Sequence, residues 1–286
     1  MTSLQEDIKT FYDSSSALWE RIWGEHMHHG YYGPSGQQQK DRYQAQIDLI
    51  EALLSWGGVT QSQSLVDVGC GIGGSTLYLA EKLGATAVGI TLSPVQANRA
   101  QQRAEEKKLE EKELAARFEV ADALAMPFPD QSFDLVWSLE SGEHMPDKAQ
   151  FVAECYRVLK PGGTFLMAAW CHRPTEDPHP PLTAAEQAHL DELYQVYCLP
   201  YIISLPGFAA IARDVGFQAV ATEDWSDAVA PFWGEVIRSA FSLEAVVGLL
   251  QAGPKIIQAA LAMRLMSQGY ERGLVKFGVL RGRKGE

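Results

Sequence analysis

The sequence predicts an α/β protein built on a mostly parallel sheet with helices on both faces. From Ser64 onward, short apolar runs alternate with segments of helical periodicity. Glycines or turn residues sit at the joints between them. The densest glycine cluster, "VDVGCGIGGS", stands between the first such run and the first helix after it, where open sheets of this kind receive ligands.

Leu4, Ile8 and Phe11, then Leu18 and Ile22, are spaced as on helices, and a stronger helical run extends from Tyr43 to Leu54. "GPSGQQQ" at 33–39 breaks the two. "SLVDVG" and "ATAVGIT" read as the first two strands, with the helix "STLYLAEKLG" between them closed by Gly84. Ser93 is an N-cap, with Pro94 at the first position of the next helix. "ARFEVAD" and "SFDLVWSL" are strands three and four, "DKAQFVAECYRVLKPGG" is a helix ending at a Gly pair, and "TFLMAAW" is the fifth strand. A Pro-rich loop, a helix over 183–198 and the helix "LPGFAAIARDVGF" then lead to a sixth strand, "QAVATEDW". A largely helical insertion from Pro231 to Tyr270, too long for a turn, precedes the final strand "LVKFGVLRGRK". The expected division is a helical lid over 1–55, a ligand-binding core over 56–172, a substrate cap with the sixth strand over 173–272, and the final core strand over 273–286.

The formal net charge of -12 argues against nucleic-acid binding, which wants a basic footprint. Cys70, Cys155, Cys171 and Cys198 form no C-x-x-C pair, so neither a zinc site nor a disulfide framework is expected. "MTSLQEDIKTFYD" has no basic start and no apolar run, and Pro254 and Lys255 interrupt the most apolar stretch. A cytoplasmic protein, monomer or homodimer, is the expectation. Seven Lys or Arg against two Glu between Lys255 and Glu286 add an expectation of peripheral contact with an anionic membrane.

Glycines at 69, 71, 73 and 74 let a ligand approach backbone, and the following helix N-terminus favours an anionic group. They also satisfy G-x-G-x-x-G, but a dinucleotide fold wants an acidic residue where Thr91 stands. With "VADALAMPFPDQSFDLVWS" and "RVLKPGGTF" following in order, the chain resembles the class I S-adenosylmethionine-dependent methyltransferases, which implies a Rossmann-like seven-stranded sheet. The resemblance implies that Gly69 and Gly71 underlie the methionine part of the cofactor, with Gly73 in the same binding turn and Asp67 close to the amino group. Asp122 and Ala123 would take the adenine edge, Thr91 and Gln96 the ribose hydroxyls, and Ser138 would border the same site.

Beyond the fourth strand, "SLESGEHMPD" supplies Glu140, Glu143 and His144 at the mouth of the cleft. Glu140 and His144 are four apart, so a helical turn would put them on one face, with His144 as base and Glu140 or Glu143 orienting it. "FYDSSSALWERIWGEHMHHGYYGP" and the C-terminal "WGEVIRSAFSLEAVVGLLQAGPKIIQAALAMRLMSQGYERGLVKFGVL" are similar to the γ-tocopherol C-methyltransferase branch and its alkaloid N-methyltransferase offshoots. That resemblance implies a phenolic ring as acceptor and an apolar groove for an isoprenoid tail. The alternative is an N- or O-methyltransferase of an indole amine or another phenol. His26, His28 and His29 have unsuitable spacing for a metal, and no Cys lies near them. The resemblance makes "MHHGYY" and Tyr12 a cover over the cofactor, with Tyr31 or Tyr32 facing the sulfonium and one of His28 or His29, His29 foremost, as a second candidate base.

Overall fold

The computed structural model describes residues 6–107 (apart from 11, 14, 15, 17–19, 21 and 22), 115–240 and 254–286. Its strands are β1 (Ser64–Val68), β2 (Thr86–Thr91), β3 (Ala116–Val120), β4 (Phe133–Leu139), β5 (Leu159–His172), β6 (Gln218–Asp224) and β7 (Val275–Arg283). They form one sheet in the order β3-β2-β1-β4-β5-β7-β6, in which β7 runs antiparallel to both β5 and β6. Helices α1 (Arg42–Gly57), α2 (Gly74–Leu83), α3 (Pro94–Glu106), α4 (Lys148–Val158), α5 (Ala184–Tyr197) and α6 (Leu205–Val215) surround it. The short α7 (Ser226–Val229), then α8 (Pro231–Ala240) and α9 (Pro254–Glu271), lie between β6 and β7.

Strand residues alternate between two cores. Leu65, Leu135 and Leu166 pack with Leu49 and Leu53 of α1, while their neighbours Val66, Val136 and Met167 pack with Phe151 of α4 and Phe208 of α6. Apolar runs without polar alternation follow from this burial on both faces. Helix α1 is therefore part of the sheet's covering layer.

The helix predicted to end at the Gly pair stops earlier, at Val158, and Leu159–His172 continues as strand. Lys160 precedes Pro161, which biases it to extended backbone. The departing carbonyls of Arg157 and Val158 accept from the N–H groups of Gln131 and Ser132. In the insertion, α8 and α9 are helical as expected, and 241–253 lie outside the described residues. Leu4, Phe11, Leu18 and Ile22 also lie outside them, whereas Ile8 is helical and buried.

Candidate active site

A cleft opens at the carboxyl ends of β1, β2 and β4, floored by the turn between β1 and α2. Gly69 and Gly71 take φ of +83° and +53°, in the region that favours glycine. A Cβ on Gly69 would overlap the side chain of Ser141. One on Gly71 would project into open cleft, with Met27 Sδ at 3.9 Å as its neighbour. Asp67 borders this floor, fully buried, and accepts from Thr76 Oγ1 at 2.6 Å. Burial raises its carboxyl to about 7 against that hydrogen bond.

At the end of β2, Thr91 Oγ1 donates to Gln96 Oε1 at 2.8 Å. Ser93 caps α3 by accepting from the Gln96 N–H, which places Gln96 on the cleft wall. Asp122 and Ala123 line the same end, with Asp122 Oδ1 accepting from the Leu124 N–H at 2.9 Å.

The histidine stretch folds over the glycine corner. Gln46 of α1 donates through Nε2 to the carbonyls of His26 and His28, the latter at 2.9 Å. Arg103 of α3 donates to the carbonyls of Ile72 in the glycine turn (2.9 Å) and Glu25 in the cover (3.1 Å). Ser93 also donates to Asp13, joining the N-terminal helical segment to the cap of α3. Gly30 lies so close to Ala45 that a Cβ there would meet the alanine methyl at 2.6 Å. Burial lowers His26 to about 4 and His28 to about 3, so both imidazoles are neutral near pH 7.

The far wall follows β4. Glu140 has a left-handed φ of +53° and turns its carboxylate toward the cover. Its Oε1 accepts from the His29 N–H at 2.6 Å, and its Oε2 accepts from His29 Nδ1 at 2.8 Å and Trp170 Nε1 at 3.0 Å. Burial alone would raise this carboxyl, but His29's charge and hydrogen bonds hold it below the usual range. Glu143 is buried in the same wall, and burial, then Glu140's charge, raise it to about 8. His144 shares a hydrogen bond of 2.8 Å with the Tyr12 hydroxyl through Nε2. Burial, with Lys148 nearby, lowers His144 to about 3.

Asp67, Gly69, Gly71, Thr91, Gln96, Asp122, Ala123, Tyr12, Glu140, Glu143 and His144 thus share one cleft. The expected Glu140–His144 pair does not form. The short helical turn begins only at Gly142, and left-handed Glu140 points to His29 instead. His29 lies behind that wall, its ring boxed by Trp23, Phe232, Trp233 and Phe277 at centroid distances of 5.0–6.3 Å. Three expected cofactor contacts fall outside the cleft lining. Tyr31 packs on Trp225 in a separate surface hollow. Ser138 lies behind the floor, hydrogen-bonded to Ser141 at 2.8 Å. Gly73 serves packing: a Cβ there would meet Ala100 and Phe118 at 2.8 Å. Trp170, Met27 and Arg103 were not singled out by sequence reasoning. No local pattern marks them, because their partners lie 30 or more residues away.

Among known proteins, a family model described as a methyltransferase domain matches residues 66–167. The chain is 47% identical to the tocopherol O-methyltransferase, chloroplastic, of Arabidopsis thaliana, over 97% of this chain and 82% of that one. It is 36% identical to the 2-methyl-6-phytyl-1,4-hydroquinone methyltransferase of Synechocystis, over 96% and 87% of the two chains. Its fold matches geranyl diphosphate C-methyltransferase from Streptomyces coelicolor, solved with S-adenosyl-L-homocysteine, at a TM-score of 0.77. That likeness covers 99% of this chain and 98% of that one at 21% identity. The cytoplasmic expectation is overturned by the plant relative, which is named chloroplastic. Among the described residues no helix is long and apolar enough to cross a membrane.

Proposed function

Because the chain belongs to the S-adenosylmethionine-dependent methyltransferase family that includes the tocopherol methyltransferases, we propose that its acceptor is the phenolic ring of γ- or δ-tocopherol, methylated at the carbon ortho to the hydroxyl. The chain is an enzyme, and S-adenosylmethionine is its methyl donor. The observation that carries the acceptor-side reading is one cleft with a glycine-floored end and, opposite, a buried carboxyl of raised pKa beside a neutral imidazole.

The residues at the glycine end fit the cofactor. Asp67 is a buried carboxyl for which a ligand ammonium would offset the cost of ionisation. Gly71 leaves room where a side chain would intrude, the Thr91–Gln96 pair suits ribose hydroxyls, and Asp122 with Ala123 suits an adenine edge. The bound cofactor supplies an electrophilic methyl group on a sulfonium.

On the acceptor side, removing the phenolic proton pushes electron density onto the ortho carbon. A phenol of pKa about 10 lies about 2 units above Glu143 but about 7 above His144. Glu143 is therefore the better proton acceptor, and His144 with Tyr12 orients the hydroxyl, although the sequence favoured His144 as base. Once protonated, Glu143 keeps a hydrogen bond to the phenolate oxygen and masks it, leaving the ortho carbon as the open nucleophile. The methylated carbon then loses its ring hydrogen as a proton, released to solvent, which restores aromaticity while Glu143 returns its own proton to the oxygen. Glu140, held by His29 and Trp170, fastens the cover that excludes water.

Methyl-labelled S-adenosylmethionine offered with γ-tocopherol, δ-tocopherol, other phenols and indole amines tests the reading. Ring-methylated α-tocopherol from the γ form is the expected product. A methyl ether would place transfer on oxygen, and label only in an amine would move the enzyme to the N-methyltransferase offshoot.

A further inference from the structure

We propose that Gly74 and Arg103 are positioning residues that form the seat of the cover: the fourth glycine of the motif makes room for the cover's backbone, and Arg103 ties that backbone to the ligand-binding turn. The seat is a property of the free protein. Its effect on the cofactor rests on the cofactor lying over the glycine floor.

Gly74 is the first residue of α2 and, unlike Gly69, Gly71 and Gly73, takes no left-handed φ. Its backbone therefore does not ask for glycine, and an alanine there would favour the helix. What asks for glycine is the cover. A Cβ on Gly74 would overlap the carbonyl oxygen of Glu25 and stand 2.9 Å from His26 Nδ1. Backbone cannot swing aside as the end of a flexible side chain can, so any side chain at 74 lifts the cover at Glu25 and His26. One turn further along the same helix, the Tyr78 ring meets His26 edge-on at a centroid distance of 6.4 Å.

Arg103 completes the seat from α3 and is 3% exposed. Its Nη1 donates to the carbonyls of Ile72 and Glu25, and its Nη2 stands 2.6 Å from Glu25 Oε2. The Glu25 carbonyl is thus held between Gly74 and the guanidinium. Ile72 lies between Gly71 and Gly73, so one planar fork joins the ligand-binding turn, its cover and α3. Met27 and His28, which follow Glu25 directly, line the cleft. The seat therefore sets whether these residues close over the glycine floor. It is separate from the Glu140–His29 contact, which holds the cover at the opposite wall.

The test compares Gly74→Ala and Arg103→Met with the wild type by limited proteolysis of residues 24–36, thermal melting, and binding of S-adenosylhomocysteine by calorimetry and stopped flow. Gly74→Ala should speed cleavage of the cover about tenfold or more while the melting temperature holds or rises. S-adenosylhomocysteine should dissociate about tenfold faster, with association little changed. Arg103→Met should expose the cover in the same way, and Arg103→Lys, which keeps charge without the fork, should restore part of the protection. In the double variant, cleavage should be no faster than in the more exposed single one, because both changes act on one seat; multiplied effects would overturn the single seat. A Gly74→Ala cover protected as in the wild type would overturn the proposal. So would weaker binding of S-adenosylhomocysteine with the cover still protected, which would make Gly74 a ligand contact. An exposed cover with unaltered affinity would support the seat and refute the cofactor's place beneath it.

Discussion

At the β1 end of the cleft the groove is shaped by backbone. Gly69, Gly71 and Gly73 all take positive φ within five residues, and what they accommodate lies beside them in space: Ser141, open cleft, and the Ala100–Phe118 packing. At the β4 end the wall is held by side chains reaching across the chain. Glu140 meets His29 over 111 positions of sequence, and His144 meets Tyr12 over 132. A backbone-made site is intolerant of added atoms, whereas a side-chain-made site is intolerant of lost ones. Substitutions at the two ends should therefore fail in different ways.

The largest expected effect is at the backbone end. Gly71→Asp places a carboxylate in open cleft at a left-handed residue, adding strain of about 1 kcal/mol to outright obstruction. Calorimetric titration with S-adenosylmethionine should show no measurable binding while the sheet's thermal transition persists. Unaltered affinity would refute the placement of the cofactor on this floor.

That end was legible in the sequence because its determinants are local. A strand, four glycines and a helix occupy adjacent positions, and Ser93 with Pro94 announces the next helix start beside Thr91 and Gln96. The seven strands and their order of appearance were legible for the same reason. The β4 end was legible only as residue types. Spacing of four suggested a Glu140–His144 pair, but a left-handed φ at a non-glycine residue leaves no sequence mark, and it turned the carboxylate to His29. Tyr31 was misplaced similarly: the cover crosses the glycine corner through Met27 and has already left the cleft at residue 31. The compartment was misread because composition carries no address.

An intermediate effect belongs to the side-chain end. Glu140→Ala would strand the His29 N–H, His29 Nδ1 and Trp170 Nε1 in a buried wall, a loss of about 3–5 kcal/mol for a broken buried pair. About 3 kcal/mol spent on closing the cover would lower kcat/KM on the order of 100-fold. Limited proteolysis should find new cleavage in the cover between residues 24 and 36, with the sheet still protected. A cover that stays protected with wild-type turnover would show that Glu140 does not fasten it.

The smallest and most diagnostic effect concerns Asp67, a side chain at the backbone end that should obey both rules. Its carboxyl is raised from 3.8 to about 7 by burial in the free protein. A raised carboxyl contributes stability that is complete below the unfolded value and is lost as pH climbs through the folded one. Stability of the free enzyme should thus fall between about pH 4 and 7, by at most on the order of 4 kcal/mol. If Asp67 receives the cofactor's ammonium as proposed, only its ionised form would pair with it, so affinity should rise with pH up to about 7 and binding there should release a proton. Asp67→Asn should remove both dependences at once, giving a free protein more thermostable at pH 7 and a weaker cofactor affinity that no longer changes with pH. Thermal melts of the free variant and calorimetry in two buffers of different ionisation enthalpy separate the effects. An Asn variant that keeps the wild-type pH dependence of binding would show that the titrating group is elsewhere and that Asp67 only packs.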